Sequence, residues 1–149
     1  MPKSEYNNKM NVDERVMMAI VRVAERFKKE SAAIFKKYGL TFPQYNVLRV
    51  LDASKNGQNM VRDINRIMLV SGANMTGITK RMEKTGFIIR KSDPTDDRLK
   101  WLEITVKGRS VLKDIAGDKE RNVKRYLNRH SADKKAEILS ILNEILDLE

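Results

Sequence analysis

The chain has 149 residues, a net charge of +10 and a sequence pI of about 9.9. This length suits one domain with its own core, and a hydrophobic fraction of 41% against 34% charged residues excludes a disordered chain. With no cysteine, a single histidine and no run of about eighteen apolar residues, the sequence excludes disulfides, zinc sites of the Cys/His type and a membrane-spanning helix.

The first predicted element is a long amphipathic helix over residues 11–38. Apolar residues recur at helical spacing at Val12, Val16 and Ile20, and neighbouring apolar residues widen this surface beyond what a small domain needs to cover. Gly39 ends the helix because glycine readily adopts the left-handed conformation. The surplus apolar surface predicts contact with a partner.

A second helix is predicted to begin at Phe42. Thr41 and Gln44 have the spacing of a capping box, in which both side chains satisfy free backbone N–H groups at the helix start. The helix ends near Ala53, and the polar run at residues 54–59 predicts a turn.

Two further helical patterns follow, at residues 60–69 and 73–85, separated by a glycine-containing interruption at 70–72. Two helices joined by a tight turn are typical of a helix-turn-helix. The residues predicted to face inward are Ile64, Ile67 and Met68 on the first helix and Met75, Ile78 and Met82 on the second.

A β-hairpin is predicted after the second of these helices. Residues 87–92 and 99–105 are rich in β-branched and aromatic residues, and the six-residue link 93–98 is full of turn formers. Such a ribbon has one packed face and one solvated face.

Two more helices are predicted at residues 106–128 and from the N-cap Ser131 through residue 149. The last is apolar over more than half its circumference. Residues 131–149 carry a net charge of −3, so the remaining residues carry +13. An apolar, mildly acidic end beside a basic body predicts a dimerisation end and a DNA-binding end on one molecule.

The order of these elements resembles the MarR family of bacterial transcriptional regulators over nearly the whole chain. The resemblance rests on R-M-E-K-T-G-F-I at 81–88 and above all on D-P-T-D-D-R at 93–98, followed by L-E-I-T-V-K-G at 102–108. It implies a homodimeric winged helix-turn-helix protein of the mainly α (α+β) class, whose first and last helices interlock between two chains. The expected organisation is a single domain, 1–149, with dimerisation helices at 11–38 and 106–149 and a DNA-binding lobe at 40–105.

The resemblance places helix 73–85 in the major groove and Arg98 in the minor groove, with Asp96 holding Arg98. A helix fits the major groove, and a guanidinium suits a narrow, strongly negative minor groove. Asn74 and Thr76 are candidates for base edges, and the basic residues for phosphates. The candidate DNA-binding residues are Ser71, Asn74, Thr76, Gly77, Lys80, Arg81, Lys84, Arg90, Lys91, Asp96, Arg98 and Lys100.

Gly77 lies in mid-helix, where glycine costs about 1 kcal/mol relative to alanine. Close approach of the backbone to DNA, or to another helix, would explain its presence.

Two further sets of residues complete these expectations. The candidate dimer-interface residues are Val12, Val16, Ile20, Ile138, Ile141, Leu142, Ile145 and Leu148. Effectors in this family are often small aromatic or phenolic acids bound where the dimer helices meet the DNA-binding part, and Phe42, Tyr45 and Arg49 are the candidates for such a pocket. Release from DNA would then follow from a change in the spacing of the two recognition helices.

The expected function is a repressor that binds a pseudo-palindromic operator as a homodimer. A winged-helix module that binds protein instead of DNA is the alternative. An enzyme is disfavoured, because no nucleophile–base arrangement, metal cluster or phosphate loop is present in the sequence, and no cofactor is expected. The N-terminus lacks an apolar leader segment, so a location in the bacterial cytoplasm or nucleoid is expected.

Overall fold

The computed structural model describes residues 7–68 and 72–147. For Gly72 and Ala73 it describes the backbone alone. Over these residues the fold is mainly helical, with six α-helices and a three-stranded antiparallel sheet, which confirms the predicted fold class. The helices are α1 Val12–Lys36, α2 Phe42–Asp52, α3 Val61–Met68, α4 Gly72–Lys84, α5 Val106–Leu127 and α6 Ala132–Leu146; the strands are β1 Gln58–Met60, β2 Ile88–Ser92 and β3 Lys100–Ile104. Two candidates, Ser71 and Leu148, lie outside the described residues.

Helix boundaries follow the capping signals of the sequence. The hydroxyl of Thr41 accepts a hydrogen bond from the backbone N–H of Gln44, and the Gln44 side chain accepts one from the N–H of Thr41, so the predicted capping box forms. The Ser131 hydroxyl caps α6 by accepting from the N–H of Lys134. Gly39 has a φ of +78°, the left-handed conformation expected where α1 ends.

The sheet differs from the prediction by one strand. The order is β1-β3-β2, with Gln58–Met60 paired antiparallel to Trp101–Glu103 on the side of β3 away from β2. The sequence predicted a turn over residues 54–59 and a helix from residue 60, because a three-residue strand with two polar residues is too short for periodicity to detect. Residues 58–60 form a strand because their backbone groups hydrogen-bond to β3, and this pairing exists only in the folded chain.

The core lies between α2, α3, α4, α5 and the inner face of the sheet. Val47, Leu48 and Leu51 of α2 are completely buried, as are Ile64 of α3 and Leu102 of β3. The prediction that Ile67 faces inward was wrong, since its side chain is 55% exposed. Helix α3 has only eight residues, so a single buried stripe through Ile64 is enough to hold it against the core.

Helices α1 and α6 retain apolar surface that the protomer does not cover. Helix α1 packs against α2 and α5, but its N-terminal half exposes Val12 and Val16 by 70% and 47%. In α6 no residue is buried over the described range, and Ile141 is 48% exposed. The described helices include none that is long and apolar enough to cross a membrane. An exposed apolar surface of this size often marks a site of protein–protein contact.

Candidate nucleic-acid interface

Helix α4 has one buried side and one exposed side. Met75, Ile78 and Met82 pack into the core, as the helical spacing predicted. Thr79 is also buried, and its hydroxyl donates to the carbonyl oxygen of Met75 at 2.9 Å, so it needs no partner outside the helix. The exposed side carries the predicted DNA-binding residues of the helix whose side chains the structure describes, namely Asn74, Thr76, Gly77, Lys80, Arg81 and Lys84.

Gly77 faces open space on this exposed side. A Cβ atom built on it would meet only the Arg81 guanidinium, at 4.0 Å. Packing against another helix within the described chain therefore does not explain this glycine. Close approach to DNA stays a prediction for this glycine, which weakens the helix by about 1 kcal/mol.

Replacing Gly77 with alanine is expected to raise the free energy of unfolding by about 1 kcal/mol while weakening DNA binding by roughly tenfold. The helix should gain stability, whereas the added methyl group should hold the backbone away from DNA, as the predicted contact at Gly77 requires. Urea unfolding and fluorescence anisotropy with an operator duplex measure the two effects. Gly117→Ala is the matched control, since a Cβ there would meet only the flexible Arg121 side chain on α5, at 3.6 Å. Equal operator affinity for both variants would contradict a DNA contact at Gly77.

The wing tip holds Arg98 in a defined orientation. Arg98 donates to the Asp96 carboxylate from Nε at 3.0 Å and from a terminal guanidinium nitrogen at 3.1 Å, and its backbone N–H donates to the same carboxylate at 3.0 Å. These bonds lower the pKa of Asp96 and raise the pKa of Arg98. The Arg98 side chain remains 90% exposed, so the guanidinium is oriented and accessible at once.

Asp93 stabilises the base of the wing loop, a role that the sequence reading did not assign. One carboxylate oxygen accepts from the hydroxyl and the backbone N–H of Thr95 at 2.6 and 2.8 Å, and the other accepts from the indole N–H of Trp101 at 2.9 Å. These hydrogen bonds, those of Thr95 foremost, lower the pKa of Asp93 to about 2. The local signal was readable as an Asx turn in Asp-Pro-Thr, whereas the Trp101 contact depends on strand pairing.

The basic residues of the ribbon do not share one face. Arg90 and Lys91 are neighbours on β2 and therefore point to opposite faces. Lys91 forms an ion pair with Glu103 across the strands, so its charge is already compensated. Lys100 lies on the same face as Arg90 and donates to the Ser92 hydroxyl at 2.9 Å. Arg90 and Lys100 therefore lie on the face of the ribbon that also carries Leu102, and Lys91 lies on the opposite face.

A cavity of about 670 Å³ opens between α1, α2 and α5. The three residues predicted for an effector pocket, Phe42, Tyr45 and Arg49, all line it. The Tyr45 ring stacks on Phe35 with centroids 4.1 Å apart. The wall also includes residues that the sequence reading did not assign to a pocket, namely Phe27, Ser31, Ile34, Phe35, Asn46, Ala116, Lys119, Glu120, Asn122, Val123 and Lys124.

The cavity combines an aromatic interior with cations at its wall. Besides Arg49, Lys119 places its Nζ 5.8 Å from the centroid of the Tyr45 ring. Buried polar side chains of Ser31 and Asn122 also reach the wall, and Asn122 accepts a hydrogen bond from Arg125 at 2.7 Å. An apolar cavity with a few convergent polar groups is the usual form of a small-molecule site.

The candidate dimer residues that the structure describes lie on α1 and α6. Their side chains are exposed at Val12, Val16, Ile138, Ile141 and Leu142 and half-buried at Ile20 and Ile145. Within the described part of the chain, no three His, Asp or Glu side chains converge as a metal site would require.

The sequence of this chain is similar to those of known transcriptional regulators. The sequence profile of the MarR family matches residues 38–99. The chain is 26% identical over 142 residues to the uncharacterized HTH-type transcriptional regulator YkoM of Bacillus subtilis (strain 168), covering 95% of this chain and 88% of YkoM. It is 30% identical over 114 residues to the uncharacterized HTH-type transcriptional regulator YfiV of the same strain, covering 74% of this chain and 70% of YfiV.

Solved structures share the fold. Sco3205, a MarR family transcriptional regulator from Streptomyces coelicolor solved in complex with DNA, matches with a TM-score of 0.85 at 16% identity, over 97% of this chain and 92% of Sco3205. NadR in complex with 4-hydroxyphenylacetate matches with a TM-score of 0.78 at 20% identity, over 100% of both chains.

The fold and the exposed basic surface define a winged helix-turn-helix regulator of transcription. The chain belongs to the MarR family. Its function is therefore DNA-binding transcriptional regulation and not catalysis.

Proposed function

We propose that this protein is a homodimeric repressor that binds a pseudo-palindromic operator and releases it when a small aromatic acid binds. The observation that carries the DNA-binding part is the placement of the exposed basic side of α4 and the oriented Arg98 in one segment of the chain, residues 40–105. Residues 11–38 and 106–149 then serve as the dimerisation part. The protein acts on the nucleoid in the bacterial cytoplasm.

Helix α4 and the wing contact different grooves of the operator. Helix α4 enters the major groove, where Asn74 pairs with adenine and the Thr76 methyl group contacts thymine. Lys80, Arg81 and Lys84 neutralise phosphates. The wing inserts the guanidinium of Arg98 into the adjacent minor groove, where A·T-rich sequence concentrates negative potential. Phosphate contacts fix the register of the protein, and base contacts supply its specificity.

Dimerisation supplies the second half-site. The apolar side chains exposed on α1 and α6 form the interface, which sets the distance between two α4 helices. Half-sites are expected about one helical turn of DNA apart, because a twofold axis relates the two reading helices. The affinity of a dimer that contacts two half-sites depends on that distance. A small rotation of the DNA-binding lobe against the dimerisation part is therefore enough to release the operator.

The cavity between α1, α2 and α5 supports an effector with an aromatic ring and a carboxylate. Phe42 and Tyr45 supply flat apolar surface for the ring, and Arg49 and Lys119 supply positive charge for the acid. The NadR complex with 4-hydroxyphenylacetate shows that a protein of this fold accommodates a ligand of this kind. Because the walls belong to both parts of the chain, an occupant alters how those parts sit against each other.

Selection of bound duplexes from a random DNA pool, followed by footprinting, tests the DNA-binding proposal. The expected result is a protected dyad whose affinity falls steeply with salt, by a slope of about −0.9 for each neutralised phosphate. No enrichment, together with no measurable duplex binding at low salt, would overturn the proposal and favour a winged helix that binds protein. In vitro transcription from the selected operator checks repression, which requires a lower transcript yield when the dimer is bound.

The effector proposal predicts that Arg49→Gln weakens the response to an aromatic acid by about tenfold or more, because a charge-assisted hydrogen bond is lost. The measurement is the concentration of 4-hydroxyphenylacetate that releases half of a labelled operator, with phenylethanol as the uncharged ligand control. Lys37→Gln, which changes an exposed lysine outside the cavity wall, is the matched variant. An unchanged half-release concentration in Arg49→Gln would remove this residue from the acid site.

A further inference from the structure

The first turn of α5 is fastened to the C-terminal end of α4. The ammonium of Lys107 donates a hydrogen bond to the carbonyl oxygen of Thr85 at 2.6 Å. The Thr105 hydroxyl donates to the carbonyl oxygen of Gly86 at 2.7 Å, and the Thr105 backbone N–H donates to the carbonyl oxygen of Phe87 at 3.1 Å. Consecutive carbonyl groups just after α4 are thereby satisfied by Lys107 of α5 and by Thr105, the N-cap residue of α5.

Electrostatics favours a cation at this position. The carbonyl groups at a helix C-terminus carry partial negative charge, and a lysine placed there is stabilising. The Lys107 ammonium also lies 5.0 Å from the centroid of the Phe87 ring, within the range of a cation–π contact. Lys107 itself is exposed, so the protein does not need this side chain to fill its core.

At the same place, the backbone of α5 closely approaches the segment that connects α4 to β2. A Cβ atom built on Gly108 would lie 2.6 Å from the carbonyl oxygen of Phe87 and 2.8 Å from the Ile104 side chain. Neither a backbone carbonyl nor a β-strand core residue can move aside cheaply. The first turn of α5 is therefore closely packed against the residues that follow α4.

We propose that Lys107 is a positioning residue, which ties α4 to α5 so that any displacement of α5 is carried to the helix that reads DNA. The proposal rests on the proposed function, since it assumes that α4 reads the operator. Helix α5 also supplies Lys119 and Asn122 to the cavity wall. A ligand in the cavity would thus be connected to the DNA-reading side of α4 through α5 and the hydrogen bond between Lys107 and Thr85.

Hydrogen exchange in the DNA-free protein tests the hydrogen bond between Lys107 and Thr85 without relying on DNA binding. Lys107→Met keeps the length and the apolar stem of the side chain but removes the cation and its hydrogen bond. The amides of Thr85, Gly86 and Phe87 donate within the end of α4, and they are expected to exchange about three- to tenfold faster in this variant. Lys107→Arg should restore slow exchange, and Lys113→Met, an exposed lysine of α5, should leave it unchanged. Unchanged exchange in Lys107→Met would overturn the proposal.

Operator binding tests the consequence. Lys107→Met is expected to weaken binding about three- to tenfold with no change in the slope of log affinity against log salt. A slope smaller in magnitude by about 0.9 would show that Lys107 contacts a phosphate directly, which would also overturn the proposal. If the wild-type protein bound no duplex, the proposed function would fail, whereas the exchange measurement would still report on the hydrogen bond between Lys107 and Thr85.

Discussion

Replacing Arg98 with alanine is expected to weaken specific operator binding by about ten- to hundredfold, as the loss of about 1–3 kcal/mol from a base-reading contact implies. The Arg98 side chain is 90% exposed and is hydrogen-bonded to Asp96 within the wing loop, so its removal should leave the fold intact. Fluorescence anisotropy with operator and scrambled duplexes measures the effect, and sedimentation velocity is expected to show an unchanged dimer.

Two comparison variants separate geometry from charge in this prediction. Arg98→Lys keeps the charge but loses the planar fork that Asp96 orients, so it should recover non-specific binding without recovering specificity. Lys113→Ala removes an exposed charge from α5. It should change the affinity for the operator and for the scrambled duplex by no more than about twofold. If the alanine variant at position 98 binds the operator as the wild type does, the assignment of the wing tip is wrong.

Replacing Ile141 with glutamate is expected to weaken dimer association by more than about a hundredfold, because burying an unpaired carboxylate in an apolar interface is costly and the twofold axis places it there twice. The side chain is 48% exposed in the protomer, so the folded monomer should tolerate the change. Sedimentation velocity over a concentration series measures the association, and circular dichroism monitors the fold.

Operator binding should weaken together with the dimer. Two linked reading helices act at an effective concentration that separate monomers lack, a difference of about 10²–10⁴ in affinity. Ser140→Glu introduces the same charge at the adjacent exposed position of α6, on the side that carries Glu137 and Glu144, and it should leave the dimer intact. A dimer that survives Ile141→Glu would place the interface elsewhere on the molecule.

Local signals were sufficient for much of the fold. The capping box at Thr41 and the buried stripe through Met75, Ile78 and Met82 were readable because each depends on residues within a few positions of one another. The hairpin was readable for the same reason, since turn formers separate two β-branched runs. Strand β1 was missed because its three residues become a strand only by pairing with β3.

The candidate sites divide in a similar way. Phe42, Tyr45 and Arg49 were proposed together because they lie close on α2, and they line one cavity. Their partners on α1 and α5 carry no shared sequence signal, because residues 27 and 119 become neighbours only through helix packing. The prediction for Ile67 failed because helical periodicity identifies an apolar face but does not show how much of that face the core covers.

The sequence alone predicted every element except β1, most helix starts and turns, the exposed basic side of α4 and the surplus apolar surface of α1 and α6. These properties follow from side-chain chemistry at short spacing, which acts before distant parts of the chain meet. The folded structure was needed to show that the cavity has walls from three helices, that residues 58–60 pair with β3 as a strand, and that Lys107 donates to the carbonyl group of Thr85 after α4. Each of these depends on contacts between residues far apart in the chain, and such contacts are set by packing and strand register.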